Sequence, residues 1–579
     1  MPRDRFPPTN RPMPSPAHVS SCNQEMVRII KAGMAGENRI VFRETAQTVS
    51  GQELLRRLLK AISKFSRFDP GTVLDALVLA GEVECALSDS AWKSAAKAAE
   101  ITDLLSSELV ASNCDEKRLK ALANELAEGP PETVRISHPE GFAYYALHPG
   151  DFADGMADVD SGSPVAVVGI RSVGTTLSAV ACASLRKRGI GASRITLRPA
   201  GHPYDRTTEL SDNQKDWVRK QQCDRSRLMV VDEGPGLSGS SFLSVAESLM
   251  REGVAAERIT LLGTRDVDPG QLCASDAVSR WSKFGWRRVS SRISQRFKHS
   301  TLLSGGRWRE FFLDQRTEQP AYWPEMDGAK YWSADQKHVF KFEGLGESGS
   351  QIRLRSGILH EGGFGAFVED AGDGMSCYEF VAGRPLDCSD LSTSVLDRVA
   401  EYCAFRAREF SHDSAADGQF EEMVRFNFSQ ETGRDWPFDS ESLRTDHPVI
   451  ADGRMAPHEW IRSQDARLIK VDASQHGDDH FFPGPTDIHW DIAGAIVEWD
   501  MDADAEQYLL RRFRSQSGII PDRARLFSLA YSTFRASYCK MALMGTGVES
   551  ERPRLERAYR FYREKIDHSL RQLDTARAI

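Results

Sequence analysis

Apolar residues between about residues 22 and 126 recur every three or four positions, which is the spacing of one face of an α-helix. The clearest example lies within residues 51–65, where the apolar stripe consists of Leu54, Leu55, Leu58, Leu59 and Ile62. Similar stripes follow in the runs VLDALVLAGEVECAL and AAKAAEITDLLSSELV. The pattern predicts a helical N-terminal region without recognisable catalytic residues. A helical cap and an oligomerisation region are both consistent with it.

The pattern changes after the Gly-Pro-Pro sequence at residues 129–131. Short, continuous apolar runs now alternate with helical stretches, and such runs are typical of strands that are buried in a parallel sheet. Strands are predicted within residues 133–147, 163–170, 193–200, 228–231 and 258–264. Their alternation with helices predicts parallel strands joined by crossover connections, an arrangement in which ligands bind beyond the carboxyl ends of the strands.

Two acidic residues, Asp232 and Glu233, directly follow the apolar run 228–231. A loop of small residues comes next, and a helical stretch begins at about residue 242. Backbone N–H groups of such a loop, together with the positive end of a helix, can hold a phosphate group. The predicted phosphate-binding residues are Ser238, Gly239, Ser240 and Ser241. The two carboxylates follow one loop away, where they could bind the hydroxyl groups of a sugar.

A second loop, after the buried run 163–170, combines one cation with small residues. Its candidate binding residues are Arg171, Ser172, Gly174 and Thr175. Between the two loops lies a polar segment interrupted by proline and glycine, residues 197–206, which contains Arg198 and His202. This segment is consistent with a mobile loop that closes over a substrate, and equally with a solvated surface loop.

Together these loops resemble the phosphoribosyl diphosphate (PRPP) signature and the diphosphate loop of type I phosphoribosyltransferases. The resemblance covers about residues 130–290, although residues 234–236 make the acidic loop about one residue longer than is usual in that family. It implies phosphoribosyl transfer to, or from, a nucleobase-like acceptor, with PRPP as substrate and Mg²⁺ on the diphosphate. The carboxylates would hold the ribose hydroxyls, and the polar segment would be the lid. The catalytic residues that it implies are Asp232, Glu233, Arg198 and His202.

The C-terminal half combines predicted strands with long helical patterns. A strand is predicted at residues 338–344, a helical patch at residues 375–386 and a long helix at residues 391–411. The sequence YEFVAGRPL within the patch resembles the hinge between the two lobes of aminoglycoside-phosphotransferase-like kinases. Residues 451–474 resemble the catalytic segment of these kinases, and residues 485–499 resemble the helix that follows it. This resemblance implies ATP-dependent phosphorylation of a small molecule.

The kinase resemblance also implies roles for single residues. Asp452 would be the catalytic aspartate that orients the accepting hydroxyl group, and Asp472 would bind the metal ion. His458 stands where the family carries a metal-binding asparagine, so this position departs from the family pattern. Lys341 would contact phosphate, and Glu361 is the expected partner of that lysine.

Asp491 is expected to anchor the catalytic loop. The sequence HGDDH at residues 476–480 offers a rival assignment with Asp478 as the catalytic residue. This assignment is disfavoured because only eight residues separate Asp478 from Asp487, too few for a metal ligand and a hairpin. The histidines and aspartates of HGDDH could instead ligate a divalent ion, or they could form a polar loop held by hydrogen bonds.

Chain length, net charge, apolar runs and cysteine spacing limit the classes of protein to which the chain could belong. With 579 residues the chain is long enough for about three or four units. A net charge of −9 and a pI of about 5.9 give no reason to expect a nucleic-acid partner. No apolar run reaches the roughly 18 residues of a membrane span, and the N-terminus lacks the apolar core of a secretory signal. Ten cysteines without C-x-x-C spacing indicate reduced thiols and a cytoplasmic location.

The sequence therefore predicts an α/β protein. A parallel-sheet phosphoribosyltransferase-like domain follows an N-terminal helical region and precedes a C-terminal two-lobed α+β kinase-like domain. The predicted divisions are a disordered tail, the helical region, the transferase-like domain and the kinase-like domain, at residues 1–20, 21–130, 131–295 and 296–579. The predicted function is a bifunctional enzyme of nucleotide metabolism with small-molecule substrates, which uses PRPP, ATP and Mg²⁺. A homo-oligomer is left open. The alternative is a sensor that binds PRPP or a nucleotide without turnover, with the kinase-like domain as a non-catalytic platform.

Overall fold

The computed structural model describes residues 39–577, apart from residues 44, 45, 68, 128, 161, 203, 237 and 315–317. The predicted disordered tail, residues 1–20, lies outside the described residues. The described chain is a mixed α/β structure that contains one parallel sheet and several antiparallel sheets, in agreement with the predicted fold class at that level. Within the described part of the chain, every helix is too short or too polar to cross a membrane.

The N-terminal region is helical, as its apolar spacing predicts. Ser50 caps the first helix by accepting a hydrogen bond from the backbone N–H of Glu53, and Asp69 followed by Pro70 begins the second. The predicted stripe of the first helix is buried apart from Leu59, which is half-buried. The elements are β1 Ala46–Ser50, α1 Gly51–Lys64, α2 Pro70–Asp89, α3 Ala95–Ala111, α4 Glu116–Ala127 and β2 Thr133–Ser137.

A parallel sheet of five strands follows, in the order β4-β3-β7-β8-β9. The predicted strands at 163–170, 193–200, 228–231 and 258–264 all belong to it. Its elements are α5 Glu140–Tyr144, α6 Pro149–Asp154, β3 Val165–Ile170, α7 Val173–Lys187, β4 Ala192–Leu197, β5 Ala200–His202, β6 Asp205–Thr207, α8 Asp212–Cys223, β7 Arg227–Val231, α9 Ser240–Arg251, β8 Ile259–Gly263, α10 Ala277–Trp281, β9 Gly285–Arg288 and α11 Arg292–Arg296.

Helices α2 and α3 pack against α7, so the N-terminal region covers part of one face of this sheet. Arg194 of β4 fastens the two layers because it pairs with Glu84 of α2 at 2.8 Å and with Asp103 of α3 at 2.5 Å. Val180 of α7 belongs to the same apolar cluster as the N-terminal helices. The helical region is therefore packed on the sheet through both apolar and charged contacts.

The C-terminal half begins with an antiparallel sheet in the order β10-β11-β12-β14-β13, against which α13 packs. Two small sheets, β15-β17-β18 and β16-β19, and six long helices follow. The elements are β10 Thr301–Leu302, α12 Trp308–Phe312, β11 Lys330–Trp332, β12 His338–Phe342, α13 Gly346–Glu361, β13 Val368–Gly372, β14 Met375–Glu379, β15 Gly383–Pro385, α14 Thr393–Glu409, α15 Asp417–Thr432, β16 Pro448–Val449, β17 Trp460–Ser463, β18 Leu468–Lys470, β19 Thr486–Asp487, α16 His489–Glu498, α17 Ala503–Ser517, α18 Ala524–Gly545 and α19 Arg552–Arg577.

Three local predictions are wrong. Residues 375–386 form strands β14 and β15 rather than a helical patch. Residues 140–144 form helix α5 rather than part of a strand. Helix α7 begins at Val173, so that most of the predicted loop 171–176 is the first helical turn. In the first two cases a short apolar run fits either a strand or a helix, and tertiary contacts decide between them.

One apolar cluster extends across residue 295, the predicted boundary between the two domains. It includes Phe142 and Val231 from the N-terminal side, and Phe342 and Met375 from the C-terminal side. The backbone N–H of Leu345 also donates to the carbonyl oxygen of Phe142 at 2.8 Å. The halves thus share a core, and the division of the chain at residue 295 stays a prediction.

Candidate functional sites

The parallel sheet brings the two predicted loops to one edge. The chain leaves β3 toward β4 on one side and later returns to β7 on the other side. Such a reversal opens a crevice at the carboxyl ends of the strands, where ligands bind in doubly wound sheets. A Cβ atom at Gly174 would lie 2.6 Å from the carbonyl oxygen of Val231, so only glycine allows this close approach. As predicted, Val230 and Val231 are completely buried in a central strand.

Asp232 and Glu233 lie at this edge, and each is half-buried. Burial raises the pKa of Asp232 to about 8. Burial also raises the pKa of Glu233 to about 6, although Arg265 opposes the shift. Oδ1 of Asp232 accepts a hydrogen bond from the backbone N–H of Glu233 at 2.9 Å, and a Cβ atom at Gly141 would lie 2.6 Å from Oε2 of Glu233. At neutral pH the pair holds a proton, so it can donate as well as accept hydrogen bonds.

Some polar groups of the serine-rich turn form hydrogen bonds with each other. The hydroxyl oxygens of Ser238 and Ser240 are 2.9 Å apart, and the backbone N–H of Ser240 donates to Oγ of Ser238 at 3.2 Å. Gly239 has a φ of +69° and packs against Leu272, whereas Ser241 is half-buried in the first turn of α9. This turn lies at the N-terminus of α9 as predicted, but its capacity for an anion is reduced by these contacts.

Arg171 of the predicted binding loop and Arg198 of the predicted mobile segment are both paired with Asp89 at the end of α2. Nη1 of Arg171 lies 2.7 Å from Oδ1 of Asp89, and Nη2 of Arg198 lies 2.6 Å from Oδ2. Arg171 also donates to the hydroxyl oxygen of Thr196 at 3.0 Å. Asp89 escaped sequence reasoning because it lies in the helical region, far from both loops in the chain.

The remaining residues of this predicted site lie apart from the acidic pair or within a helix. His202 is exposed on the hairpin of β5 and β6, where its Nδ1 accepts from the backbone N–H of Tyr204 at 3.3 Å. Ser172 is the residue before α7, and Thr175 is completely buried in its first turn. The hairpin is exposed at the carboxyl edge of the sheet, which is compatible with the predicted lid.

In the C-terminal half, two lysines of the antiparallel sheet converge on one aspartate. Lys330 of β11 and Lys341 of β12 are directly opposite each other, so their side chains share a face. Lys341 forms an ion pair with Asp472, and Nζ of Lys330 lies 3.5 Å from Asp472 and 3.2 Å from Asp327. Burial alone would raise the pKa of Asp472, but the two lysines outweigh burial and lower that pKa well below its usual value.

Asp452 is completely buried in a network of its own. It accepts a hydrogen bond from the hydroxyl group of Tyr402, and Nζ of Lys470 lies 3.3 Å from its carboxylate. The carboxylate of Asp491 accepts hydrogen bonds from the backbone N–H groups of Asp452 at 2.9 Å and Gly453 at 3.0 Å. Asp491 thus holds the loop at Asp452 through two backbone hydrogen bonds, as expected of an anchor. The carboxylate of Asp452 itself is engaged by Tyr402 and Lys470.

Lys470 contacts both Asp452 and Glu459, and a carboxylate oxygen of Glu459 lies within 4.8 Å of one of Asp472. Its Nζ lies 2.8 Å from Oε2 of Glu459, which precedes β17. Burial raises the pKa of Glu459, although Lys470 opposes the shift. The sequence did not predict roles for Glu459 and Lys470, because the kinase resemblance assigns a role to His458, the residue before Glu459.

His458 packs on an aromatic side chain. Its ring is stacked on Trp308 of α12, with centroids 5.4 Å apart and an interplanar angle of 17°. Burial, with nearby Lys470 and Arg454, lowers the pKa of His458 to about 3. Among the described residues, the group with metal-ligand spacing consists of Glu459, Asp472 and His476, whose ligand atoms lie within 4.8 Å of one another. His458 is not part of this group, and its assignment as a metal ligand stays a prediction.

The partner expected for Lys341 is also corrected. Glu361 is exposed at the last residue of α13, whereas Lys341 is buried and pairs with Asp472. Within the HGDDH sequence, Nε2 of His476 lies 3.3 Å from Oδ2 of Asp472, and Nδ1 of His476 lies 3.5 Å from Oδ2 of Asp479. His480 instead packs among aromatic rings, which are those of Phe42, Tyr144, Tyr145 and Phe481.

Helix α12 brings aromatic side chains between the antiparallel sheet and the helical part. Trp308 stacks on His458, as described above. The ring of Phe312 lies 5.2 Å from Trp332 and 5.5 Å from Phe380, centroid to centroid. Trp332 shares the sheet face that carries Lys330, because the two residues are two positions apart on β11. The face that carries the lysines is therefore partly covered by α12.

Comparison with known proteins yields structural likenesses only. No protein-family model and no curated protein sequence matches the chain. Solved structures with a similar arrangement include the choline kinase LicA from Streptococcus pneumoniae, with 15% identity and a TM-score of 0.31, which covers 47% of this chain and 97% of that one. A choline kinase from Cryptosporidium parvum Iowa II has 12% identity and a TM-score of 0.29, with 49% of this chain and 98% of that one covered.

Spectinomycin phosphotransferase APH(9)-Ia, in complex with ADP and spectinomycin, has 11% identity and a TM-score of 0.30, and covers 48% of this chain and 97% of its own. These proteins are phosphotransferases, and they give the phosphoribosyltransferase resemblance no support. Likeness at this level assigns no activity to the chain, so its function is argued from its own residues.

Proposed function

We propose that the C-terminal half transfers a phosphoryl group from ATP to a hydroxyl group of a small molecule. The observation that carries the proposal is the convergence of the half-buried Lys330 and the buried Lys341 on Asp472. Phosphoryl transfer requires little covalent chemistry from the protein, and it depends on positioning and on compensation of the phosphate charge. A pair of ammonium groups beside a carboxylate provides both.

The lysine pair is costly unless it serves a ligand. Like charges directly opposite each other on a sheet repel, and burial adds a desolvation cost. Asp472 and Asp327 compensate these costs in the ligand-free chain. When ATP binds, the phosphate oxygens would replace Asp472 as the partners of the two lysines. Asp472 would then be free to hold a divalent cation.

A divalent cation fits the carboxylates present. Asp472 and Glu459 offer oxygen ligands of the kind that Mg²⁺ prefers, and their ligand atoms lie within 4.8 Å of each other. A bound cation would supply charge compensation between the phosphates of the nucleotide. The protein would contribute the lysines that fix the phosphates and the carboxylates that fix the cation.

The role predicted for Asp452 depends on a rearrangement. An acceptor hydroxyl group would need to reach its carboxylate, which is engaged by Tyr402 and Lys470. Movement of Lys470 toward Glu459, which it already contacts, would expose Asp452 as the residue that orients the hydroxyl. If these contacts persist with ATP bound, the half binds nucleotide without transferring phosphate. Nucleotide binding without turnover, as in a sensor, is therefore the second candidate.

The experiment follows labelled γ-phosphate transfer from ATP to panels of amino alcohols, aminocyclitols and ribosides, with Mg²⁺ or Mn²⁺. We expect transfer to one class, and a loss of at least about 100-fold in Lys341→Met and Asp472→Asn. Asp452→Asn should lose transfer while ATP affinity stays near that of the wild type. Lys337→Met, at an exposed lysine just before β12, is the matched control. ATP binding without transfer would favour the sensor, and absence of ATP binding would overturn both candidates.

A separate observation favours PRPP binding at the parallel sheet. Asp232 and Glu233 lie at the reversal of strand order, beside a glycine that allows close backbone approach. In the described part of the chain neither carboxylate has an ion-pair partner within 4.0 Å, although both residues are half-buried. Such groups are expected where a ligand with hydroxyl groups supplies the missing partners.

Calorimetry with PRPP and Mg²⁺ tests this second site. The double variant Asp232→Asn with Glu233→Gln should weaken PRPP binding by about 3 kcal/mol, because each amide offers one acceptor oxygen to the ribose hydroxyls where a carboxylate offers two and can carry a charge. Asp224→Asn, at an exposed position after α8, serves as the control. Unchanged PRPP affinity in a folded double variant would contradict PRPP binding at Asp232 and Glu233. It would not affect the proposal for the C-terminal half.

A further inference from the structure

The guanidinium group of Arg454 lies next to the candidate kinase site and has no partner in the described structure. Arg454 is two residues after Asp452, and its backbone N–H donates to Oδ1 of Asp452 at 3.1 Å. The residue is half-buried. Within the described part of the chain, its guanidinium forms no hydrogen bond and has no carboxylate oxygen within 4.0 Å. Its N–H donors therefore remain for a ligand.

Other cations near this turn are paired with carboxylates. These pairs are Lys330–Asp472, Lys341–Asp472, Lys470–Glu459, Arg406–Asp491 and Arg535–Glu498. Glu459 also acts electrostatically on Arg454, but from beyond ion-pair distance, and Nζ of Lys470 lies 2.8 Å from its carboxylate. The positive charge of Arg454 is therefore not compensated by a contacting acid of the described chain.

The surroundings of Arg454 carry a positive electrostatic potential. Burial lowers the pKa of His458 to about 3, and three cations add to this shift, which are Lys470, Arg454 and Arg535. Asp472 opposes them. Arg535 also repels the charge of Arg454 itself. Positive potential in a partly buried region favours the binding of an anion, which would relieve the repulsion between these cations.

Two tyrosines are close to the guanidinium. Burial raises the pKa of both Tyr322 and Tyr538, and Arg454 opposes the shift in each. Tyr538 belongs to α18, whereas Tyr322 lies in the segment between α12 and β11. Lys330 also acts on Tyr322, so this tyrosine is near both the lysine pair and Arg454. Arg454 is therefore close to the lysines proposed to hold the phosphates of ATP, but separate from them.

The turn that carries Arg454 is held on two sides. The carboxylate of Asp491 accepts hydrogen bonds from the backbone N–H groups of Asp452 and Gly453. Gly453 has a φ of +76°, and a Cβ atom there would lie 3.1 Å from the carbonyl oxygen of His476. A fixed backbone limits the positions that the guanidinium can reach, as a binding residue requires.

We propose that Arg454 binds an anionic group, a carboxylate or a phosphate, on the small molecule that accepts the phosphoryl group. A guanidinium suits both groups because it can donate two parallel hydrogen bonds to two of their oxygens. One turn would then fix the acceptor hydroxyl at Asp452 and the anion at Arg454. The acceptor class is a hydroxy acid or a phosphorylated hydroxyl compound. This inference deepens the proposed function by naming its substrate class, and it rests on that function for the transfer itself.

The first measurement compares acceptors in the wild-type chain, so it does not depend on the folding of a variant. Two matched sets differ mainly in charge, namely glycerol, glycerate and glycerol 3-phosphate, and ribose, ribonate and ribose 5-phosphate. Calorimetry without nucleotide gives their affinities, and labelled γ-phosphate transfer from ATP gives kcat and KM. We expect an anionic member of at least one set to bind roughly 10- to 100-fold more tightly than its neutral counterpart. The carboxylate and phosphate arms show which anion is preferred.

The second measurement changes the arginine. Arg454→Met should remove the preference for the anion and raise KM for the anionic acceptor, with little change in ATP affinity. Arg454→Lys should keep part of the preference, because it retains the charge but loses the parallel hydrogen bonds. Arg462→Met is the matched control, because Arg462 of β17 is also half-buried and has no carboxylate within 4.0 Å in the described structure, but it acts on the distant Asp390.

Equal affinity for neutral and anionic members in both sets would overturn the proposal. A loss of ATP affinity in Arg454→Met, or an equal loss of transfer to every acceptor, would also overturn it, because Arg454 would then contact the nucleotide. Anion binding that depends on Arg454, without transfer to any acceptor, would support the anion site and reject only the proposed function. Transfer to neutral acceptors alone would reject only this inference.

Discussion

Asp232 shows how burial of one carboxyl group makes stability depend on pH. Burial raises its pKa to about 8, whereas the pKa in an unfolded chain is about 4. Between these two values the folded state holds a proton that the unfolded state has released. The free energy of unfolding contributed by this residue therefore falls as the pH rises from about 4 to about 8.

Asp232→Asn removes this dependence, because an amide does not titrate. Its oxygen can still accept the hydrogen bond that Oδ1 now receives from the backbone N–H of Glu233. We expect the free energy of unfolding at pH 8.5 to exceed that of the wild type by about 1–3 kcal/mol, with little difference near pH 4.5. Urea denaturation at the two pH values measures it, with Asp224→Asn as the exposed control. A difference that is equal at both pH values would contradict the explanation.

At the residue scale, only some residues of the C-terminal site could be predicted from the sequence. Lys341 and Asp472 were predictable as members of one site because the kinase resemblance assigns one to phosphate binding and the other to metal binding. Lys330 was not, because its contact with Asp472 depends on the pairing of β11 with β12. The environment of His458 depends on Trp308, which lies far from it in the sequence.

At the scale of elements, charged side chains fasten the N-terminal helices to the parallel sheet. The side chain of Arg194 in β4 is 4% exposed, and its partner Glu84 in α2 is 3% exposed. Asp103 of α3 completes the group. Loss of one member of a buried ion pair leaves an uncompensated charge in the interior, which is costly. Helices α2 and α3 are therefore expected to unfold together with the sheet.

Arg194→Met should lower the free energy of unfolding by about 3–5 kcal/mol, since it leaves Glu84 without its cation. The control is Arg56→Met, which removes an exposed pair with Glu53 whose side chains are 61% and 49% exposed, and it should change stability by less than about 1 kcal/mol. Urea denaturation followed by helix content gives both values. Equal effects of the two substitutions would show that Arg194 does not join the layers.

The elements that sequence patterns predicted well are long or have a clear period. Helices α1 and α14 fall where helical patterns predict them, and strands β3, β7 and β8 fall on continuous apolar runs. The helix predicted over strand β14 is wrong, because five residues are too few to show a helical or a strand period of apolar positions. Its strand state follows from pairing with β12 and β13, which the local sequence does not reveal.

At the scale of the whole molecule, the two halves share one apolar cluster. Phe342 of β12 is completely buried in it, together with Phe142 and Val231 from the N-terminal side. Phe342→Ala should therefore destabilise both halves, by about 3–5 kcal/mol, and calorimetry should still show one cooperative transition. Phe311→Ala, at a residue that is 43% exposed, is the control. Two separate transitions in the wild type would contradict a shared core.

The central claim concerns nucleotide binding at the site where Lys341 meets Asp472, and ATP affinity with and without Mn²⁺ tests it most directly. In the wild type, Mn²⁺ should strengthen ATP binding, because Asp472 holds the cation while the lysines hold the phosphates. Asp472→Asn should abolish this strengthening. Lys341→Met should weaken ATP binding by roughly 10- to 100-fold whether or not the cation is present, and Lys337→Met should behave as the wild type. ATP binding that ignores the cation and both site variants, or no ATP binding at all, would contradict the claim.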